Sequence, residues 1–537
     1  MKAAELFVKS LEAAGITHVF GVPGEENLAF LEALRTSKID FVTTRDEQTA
    51  VFMAATVGRL TGRPGVALST LGPGATNLVT GVAYAQLAGM PLIVITGQKP
   101  LKKSKQGKFQ IIDVVGMMTP ITKMSVTIIS ASRIPITVLQ AVRVAETERP
   151  GAVHLELPED IAAEETSELP IAWHKVRRAV PDDKSIIAAM NAIEDAKSPL
   201  IAIAAGANRK RIRKQLRNFV ATTGIPFVTT QMGKGVEDEG LPEYIGTTAL
   251  SDGDIVHEAT AAADLILLIG HDIAEKPPAL PQRGQRIIHL NFYTADLDAV
   301  YQPEIEVVGD ISHALWVMSE KIHKQSHWDF SLFFAAKKKL ENNISEHADD
   351  PAFPMKPQRF VRELREAMPR DGVLSLDNGM YKLWISRNYP AYEQNTVLLD
   401  NAFATMGAGL GAGMAAKLIQ PDTKVAVIAG DGGFLMNVAD LETAVRLKLD
   451  ITIVIIEDKG YGMIKWKQHD MMLPEYGLSF ENPDFVMLAE SFGAHGHRVI
   501  SADDFKPALS RALNAKGVQV LVLPIDYSEN AKVLSKL

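Results

Sequence analysis

The sequence contains no cysteine. This excludes disulfides, thiolate-ligated metals and a cysteine nucleophile, and it fits a reducing, cytoplasmic setting. No run of about 18 uncharged apolar residues is present, so no membrane span is expected. The N-terminal stretch is interrupted by Lys9 and Glu12 and lacks the unbroken apolar segment of a signal peptide. Positive charge is not in excess. The formal net charge is −8, which gives no reason to expect nucleic acid or an anionic membrane as partner. No short repeat of solenoid type is visible.

What is present is an ordinary globular composition, 47% apolar and 22% charged over 537 residues. That length predicts two to four domains. Short β-branched runs alternate with helical patterns along the whole chain. This predicts an α/β protein with three doubly wound parallel-sheet domains, at 1–175, 186–345 and 355–537. In the first, strands are expected at His18–Gly21, Phe41–Thr44, Gly65–Thr70 and Pro91–Thr96, with a helix from Ala50 toward Leu60. A strand at Ala152–Pro158 closes the domain, and a polar, proline-punctuated linker runs to about residue 185.

The most informative stretch is Lys424 to Met463. Val425–Ala429 reads as a buried parallel strand. Gly430-Asp431-Gly432-Gly433 reads as a turn suited to glycine. Asn437–Leu447 has helical spacing, and Ile451–Ile456 is a second β-branched run. The strand–turn–helix–strand order makes the two strands parallel. Asp431 and Asp458 then both follow carboxyl ends of strands, the edge where α/β sheets bind ligands. Glycine amides and a helix start favour a phosphate there, and two carboxylates facing phosphate oxygens imply a hard divalent cation, most simply Mg²⁺. Glu47 follows another strand; taken alone it reads as a first-turn carboxylate favoured by the helix dipole.

The Gly-Asp-Gly run with Asp458 downstream resembles the signature of thiamine-diphosphate enzymes, and Asp rather than Asn at 458 resembles the catabolic, FAD-independent acetolactate synthases. The likeness is strongest at Gly21–Gly24, Arg45–Thr61, Gly72–Asn77 and Ala429–Met463. It implies Mg²⁺ ligation by Asp431, Asp458 and the Gly460 carbonyl, and cofactor contacts from Pro23, Asn77, Gly379, Met380, Tyr381, Met406, Gly430, Gly432, Gly433, Tyr461, Gly462 and Met463. It makes Glu47 the partner of the cofactor's aminopyrimidine, with Asp46 standing where many relatives have His. Met406 becomes the apolar wedge that bends the cofactor, a role that suits an adaptable thioether. Phe109-Gln110 resembles a pair that lines the reaction site of acetohydroxyacid synthases, and Lys103-x-Lys105-Gln106 also resembles the catabolic enzymes. The lysine cluster around it reads as a solvated loop. Trp466 either extends into the site or serves the core or surface.

The middle domain's Gly270 to Glu275 lacks the Arg-Phe-Asp-Asp segment of the FAD-containing synthases, so FAD is expected to be absent. The implied activity is decarboxylation of pyruvate and transfer of the hydroxyethyl unit to a second pyruvate, giving 2-acetolactate and CO₂. The implied assembly is a homodimer or homotetramer with active sites between subunits. Two alternatives stand beside it: another thiamine-diphosphate decarboxylase, oxidase or carboligase, and a non-catalytic relative.

Overall fold

A computed structural model describes residues 1–102, 107–174, 176–248, 253–275, 285–297, 299–530 and 534. The Lys103-x-Lys105-Gln106 pattern lies outside the described residues. The described strands form three six-stranded sheets in which every pairing is parallel. Helices interleave the strands throughout. The expected α/β class follows from strands that are apolar on both faces. All seven residues of Leu92–Gln98, all five of Leu265–Ile269 and all six of Thr452–Glu457 are buried.

By its internal contacts the chain divides into two compact units. The first is Met1–Val176 with Ala402–Asp422 and Leu435–Leu449. Its sheet runs Asp40–Thr43, His18–Gly21, Gly65–Ser69, Leu92–Gln98, Ala152–Pro158, Met124–Thr127. Numbered along its own stretch of chain, the order is 2-1-3-4-6-5. The helix after the second strand begins at Glu47, three residues earlier than expected, and ends at Thr61. Asp46 is the extended residue that precedes it, and Gly62 at φ +72° closes it in the left-handed conformation that glycine adopts without strain.

The second unit, Arg177–Asn401 with Thr423–Phe434 and Asp450–Leu537, holds the other two sheets. The central one runs Ile305–Val308, Arg286–Asn291, Leu265–Ile269, Pro199–Ile203, Phe227–Thr229, Tyr244–Thr247. Its own order is 6-5-4-1-2-3, the arrangement of dinucleotide-binding folds. The last sheet runs Val397–Leu398, Val373–Leu376, Val425–Gly430, Thr452–Glu457, Gln519–Pro524, His495–Arg498, again 2-1-3-4-6-5. Val425–Gly430 and Thr452–Glu457 are parallel neighbours, so Asp431 and Asp458 leave adjacent strands at one sheet edge.

Two local readings differ from the structure. Gly430 to Gly433 is not a free turn, because a helix, Asp431–Met436, starts directly after the strand and none of these glycines has positive φ. Asn437–Leu447 is not one helix but a short turn, Val438–Asp440, followed by Leu441–Arg446. Met380 and Tyr381 open a helix, Met380–Asn388. No helix among the described residues is long and apolar enough to cross a membrane.

Candidate active site

In the first unit, Glu47 is held at the start of its helix. Its Oε2 accepts a hydrogen bond from Asn77 Nδ2 at 3.1 Å. The carboxyl group is buried against Gly74, where an added methyl carbon would stand 3.0 Å from Glu47 Oε1 and 2.6 Å from Ser69 Oγ. Glycine at 74 is therefore a requirement of close approach. Two residues earlier, Gly72 has φ +53°, and a methyl carbon there would stand 2.7 Å from the Gln110 carbonyl oxygen. The Gly72–Gly74 turn thus joins Glu47, Asn77 and the Phe109-Gln110 pair at one edge. Gln110 itself has φ +57°, an uncommon conformation for a side-chain-bearing residue. Phe109 is 66% exposed. Pro23 is an exposed residue of the loop after His18–Gly21.

Behind Glu47 stands a second layer of polar contacts. Asn437 Nδ2 donates to Thr49 Oγ1 at 2.7 Å and to Asp46 Oδ2 at 3.4 Å. Asp440 Oδ1 accepts from the Arg45 amide at 2.8 Å. Burial, and then the neighbouring Glu47 charge, raises the pKa of Asp46 above its ordinary value. Met406 is half-buried just ahead of helix Ala408–Ile419, which packs along helix Glu47–Thr61.

In the second unit, Asp431 is the best-connected carboxylate of the sheet edge. Its Oδ1 accepts from the Gly432 amide at 2.8 Å. Its Oδ2 accepts from the amides of Asp458 at 3.2 Å and Lys459 at 2.8 Å, and from Asn482 Nδ2 at 2.8 Å. These bonds fix the end of one strand to the end of the next. Asp458 has no comparable support. Burial, reinforced by the nearby Asp431 charge, pushes its pKa up to about 7. Gly462 opens helix Gly462–Asp470, and a methyl carbon there would stand 2.5 Å from Asp458 Oδ2. Gly432 is pressed by the rings of Tyr461 and Phe480, and Gly430 by that of Tyr381. The glycines serve aromatic neighbours rather than backbone freedom. Met380 and Tyr381 are buried, and Gly379 precedes them in extended conformation. Met463 is half-buried in the first turn of its helix, Gly433 is buried, and Gly460 bridges Ser479 across the loop. Trp466 is half-buried, neither core nor fully exposed.

Several contributors carry no local signal in the sequence. Asn482 reaches Asp431 from a separate loop. Lys382 is buried, donates to the Asp400 carbonyl at 3.1 Å and Asn401 Oδ1 at 3.3 Å, and has its pKa drawn down to about 8 by burial. Tyr527 is held far above its ordinary pKa by burial, then by the charges of Asp458 and Asp431.

Among the described residues there is no cluster of three or more His, Cys, Asp or Glu that would hold a metal unaided. Two adjacent carboxylates with a backbone carbonyl nearby are instead an all-oxygen donor set suited to a hard divalent cation whose remaining positions are filled by phosphate and water. Burial and the nearby Asp431 charge, which together raise the Asp458 pKa, also favour a cation between the two carboxyl groups. The residues fit a metal-bridged diphosphate.

Three family models match this chain: the thiamine pyrophosphate enzyme N-terminal TPP binding domain at residues 1–117, the central domain at 186–318, and the C-terminal TPP binding domain at 377–523. An "Acetolactate synthase" of Bacillus subtilis (strain 168) is 34% identical, over 99% of this chain and 95% of the relative. The chain belongs to this family of thiamine pyrophosphate enzymes. An "Acetolactate synthase, catabolic" of Raoultella terrigena is 32% identical over 99% of this chain and 97% of its own length. The "Acetolactate synthase isozyme 2 large subunit" of Escherichia coli (strain K12) is 28% identical over 99% and 96%.

Proposed function

We propose that the protein is an acetolactate synthase-like carboligase. It decarboxylates pyruvate and joins the remaining two-carbon unit to a second pyruvate, giving 2-acetolactate and CO₂. The observation that carries this reading is the Gly72–Gly74 turn, which brings Phe109-Gln110 to the same edge as Glu47. The acetolactate synthases of similar sequence support the reaction class.

Thiamine diphosphate, when bound, supplies the electron sink for decarboxylation. The protein's part is to hold it and to manage charge and protons. Asp431, Asp458 and the Gly460 carbonyl would hold Mg²⁺ against the diphosphate. Gly379, Met380, Tyr381, Gly430, Gly432, Gly433, Tyr461, Gly462 and Met463 would form its walls. Asn77 donates to Glu47 and so orients the carboxyl group, leaving Oε1 to exchange a proton with the aminopyrimidine. Met406 would supply the apolar wedge. Phe109 and Gln110 would line the space for the second pyruvate.

We propose the division into domains 1–175, 186–345 and 355–537. The assembly is a homodimer or homotetramer in which Glu47 of one subunit meets Asp431 and Asp458 of another. FAD plays no part in this reading. Support comes from Glu275, whose carboxylate accepts from the Ala205 amide at 3.0 Å and the Met232 amide at 3.1 Å, amides at the sheet edge where a nucleotide would otherwise dock. A cytoplasmic setting accords with the cysteine-free composition.

The test is product analysis. Purified protein with Mg²⁺ and thiamine diphosphate is fed pyruvate, and products are identified by NMR. 2-Acetolactate is expected. Acetaldehyde alone would make it a decarboxylase, acetyl phosphate an oxidase, and no turnover a non-catalytic relative.

A further inference from the structure

The second unit contains a cavity of about 510 Å³ whose lining includes none of the candidate cofactor residues. It lies among the central sheet's edge strand Tyr244–Thr247, helices Ser331–Ser345 and Pro357–Ala367, and the chain leaving helix Met380–Asn388. Leu241, Ile245, Leu340 and Ile344 give it an apolar wall. Its size is in the range of small-molecule sites.

The polar groups of the lining are unbalanced. Lys337, Arg362 and Arg387 each have a carboxylate partner, in Glu341, Asp349 and Asp254. Glu239 is paired with Lys234 and Glu366 with Lys506. Arg365 differs. Its guanidinium donates to the carbonyls of Met368 at 2.6 Å, Pro369 at 2.8 Å and Pro390 at 3.4 Å, and lies over the rings of Tyr389 at 4.5 Å and Tyr392 at 4.9 Å. No carboxylate among the described residues pairs with it. Beside it, Asn388 Nδ2 and the Tyr389 hydroxyl are buried and have no hydrogen-bond partner among the described residues, and neither does the acceptor Gln358 Oε1. The Asn388 amide is oriented by its Oδ1, which accepts from Arg387 Nη1 at 3.3 Å. Burial raises the Tyr389 pKa, so that hydroxyl keeps its proton and remains a donor. Buried donors and acceptors of this kind are costly to leave unmade.

We propose that this cavity binds a small 2-hydroxy carboxylic acid. The carboxylate would answer Arg365 and accept from Asn388 Nδ2 and the Tyr389 hydroxyl. The 2-hydroxyl would donate to Gln358 Oε1, and the alkyl body would lie against Leu340 and Ile344. An inorganic anion satisfies the cation but offers nothing to the apolar wall, and a neutral alcohol leaves Arg365 unanswered. Under the carboligase reading, 2-acetolactate itself falls in this class, and that one extension rests on that reading. The site does not.

The test uses 2-hydroxyisobutyrate as probe and calorimetry on the full-length protein, without turnover, so its outcome is independent of the catalytic assignment. One site per chain is expected. Isobutyrate, which lacks the hydroxyl, should bind about tenfold more weakly, the size of one hydrogen bond. Tyr389→Phe and Asn388→Leu should each weaken binding at least about tenfold. Gln358→Leu should remove the preference for 2-hydroxyisobutyrate over isobutyrate, a readout that holds if either other variant fails to fold. Asp431→Ala and Glu47→Gln should bind the probe like the wild type. Absence of binding, equal binding by the three cavity variants, or loss of binding in Asp431→Ala would each overturn the proposal, the last by assigning the probe to the cofactor site.

Discussion

Glu275 gives the most direct link between a single buried group and a measurable pH dependence. Its carboxyl group is buried at the carboxyl edge of the central sheet, where it holds the amides of Ala205 and Met232. Burial is the main cause that raises its pKa from the ordinary 4.5 to about 7, and Asp272 adds a like charge while Thr230 and the two amides oppose the rise. The folded state therefore binds this proton more tightly than the unfolded chain. Its contribution to stability is complete below about pH 4.5 and is lost as pH rises through about 7. At about 1.4 kcal/mol per pH unit between those two values, the loss is roughly 3 kcal/mol.

Glu275→Gln is close in size and cannot ionise. The difference in stability between wild type and variant should then move by roughly 3 kcal/mol in the variant's favour between about pH 4.5 and pH 8, flattening above. Melting temperatures and urea midpoints of both proteins, taken at half-unit steps across that range with the same buffer set, read it directly. Taking the difference cancels other groups that titrate in the window. Parallel curves would show that Glu275 ionises normally in the fold, and the argument that it acts as a built-in occupant of the central sheet's edge would fail with it.

The remaining predictions concern the candidate active site. Glu47→Gln should leave cofactor affinity near wild type while turnover falls by roughly 10²–10⁴, the range of a lost acid–base group; unchanged kcat would reduce Glu47 to a helix-start carboxylate. Asp431→Ala should abolish Mg²⁺-dependent binding of thiamine diphosphate in calorimetry, whereas Asp458→Asn should weaken it less, because it keeps an oxygen ligand. Mixed assemblies of Glu47→Gln and Asp431→Ala chains should regain activity, since in the proposed shared-site assembly one site of each heterodimer combines both intact halves. Exchange confirmed by mass spectrometry with no activity regained would refute the shared site.

Much of this was legible in the sequence because parallel strands buried on both faces read as short apolar runs. The strands ending at Gly21, Gly430 and Glu457 were placed to within a residue on that basis alone. Local glycine chemistry was less readable. Gly430 and Gly432 suggested a turn, but they lie close against the rings of Tyr381, Tyr461 and Phe480, which arrive from elsewhere in the chain. Asn437 to Leu447 suggested one helix from its apolar spacing. It is divided at Asp440, whose side chain bonds Arg45 and Thr443, while Asn437 bonds Thr49. No local pattern carries bonds between residues nearly four hundred positions apart. Asn482 was missed for the same reason: its place is visible only once Asp431 lies beside it.

The first and last sheets share one strand order, so their ends can be compared position by position. In each, the third and fourth strands in chain order are neighbours, and the residue after each strand faces the edge where ligands bind. In the last sheet these residues are Asp431 and Asp458. In the first they are Thr70 and Lys99. Lys99 Nζ lies 2.6 Å from Glu26 Oε1, and Thr70 donates to the other oxygen of the same carboxylate. The first sheet thus carries its own cation at the place where the last sheet presents two carboxylates, and an ammonium there leaves no anionic pair for Mg²⁺ to bridge. The same topology is used twice with opposite charge at equivalent strand ends. Under the proposed function, metal and diphosphate would belong to the edge of the last sheet, while Glu47 follows the first sheet's edge strand, two strands from Gly65–Ser69.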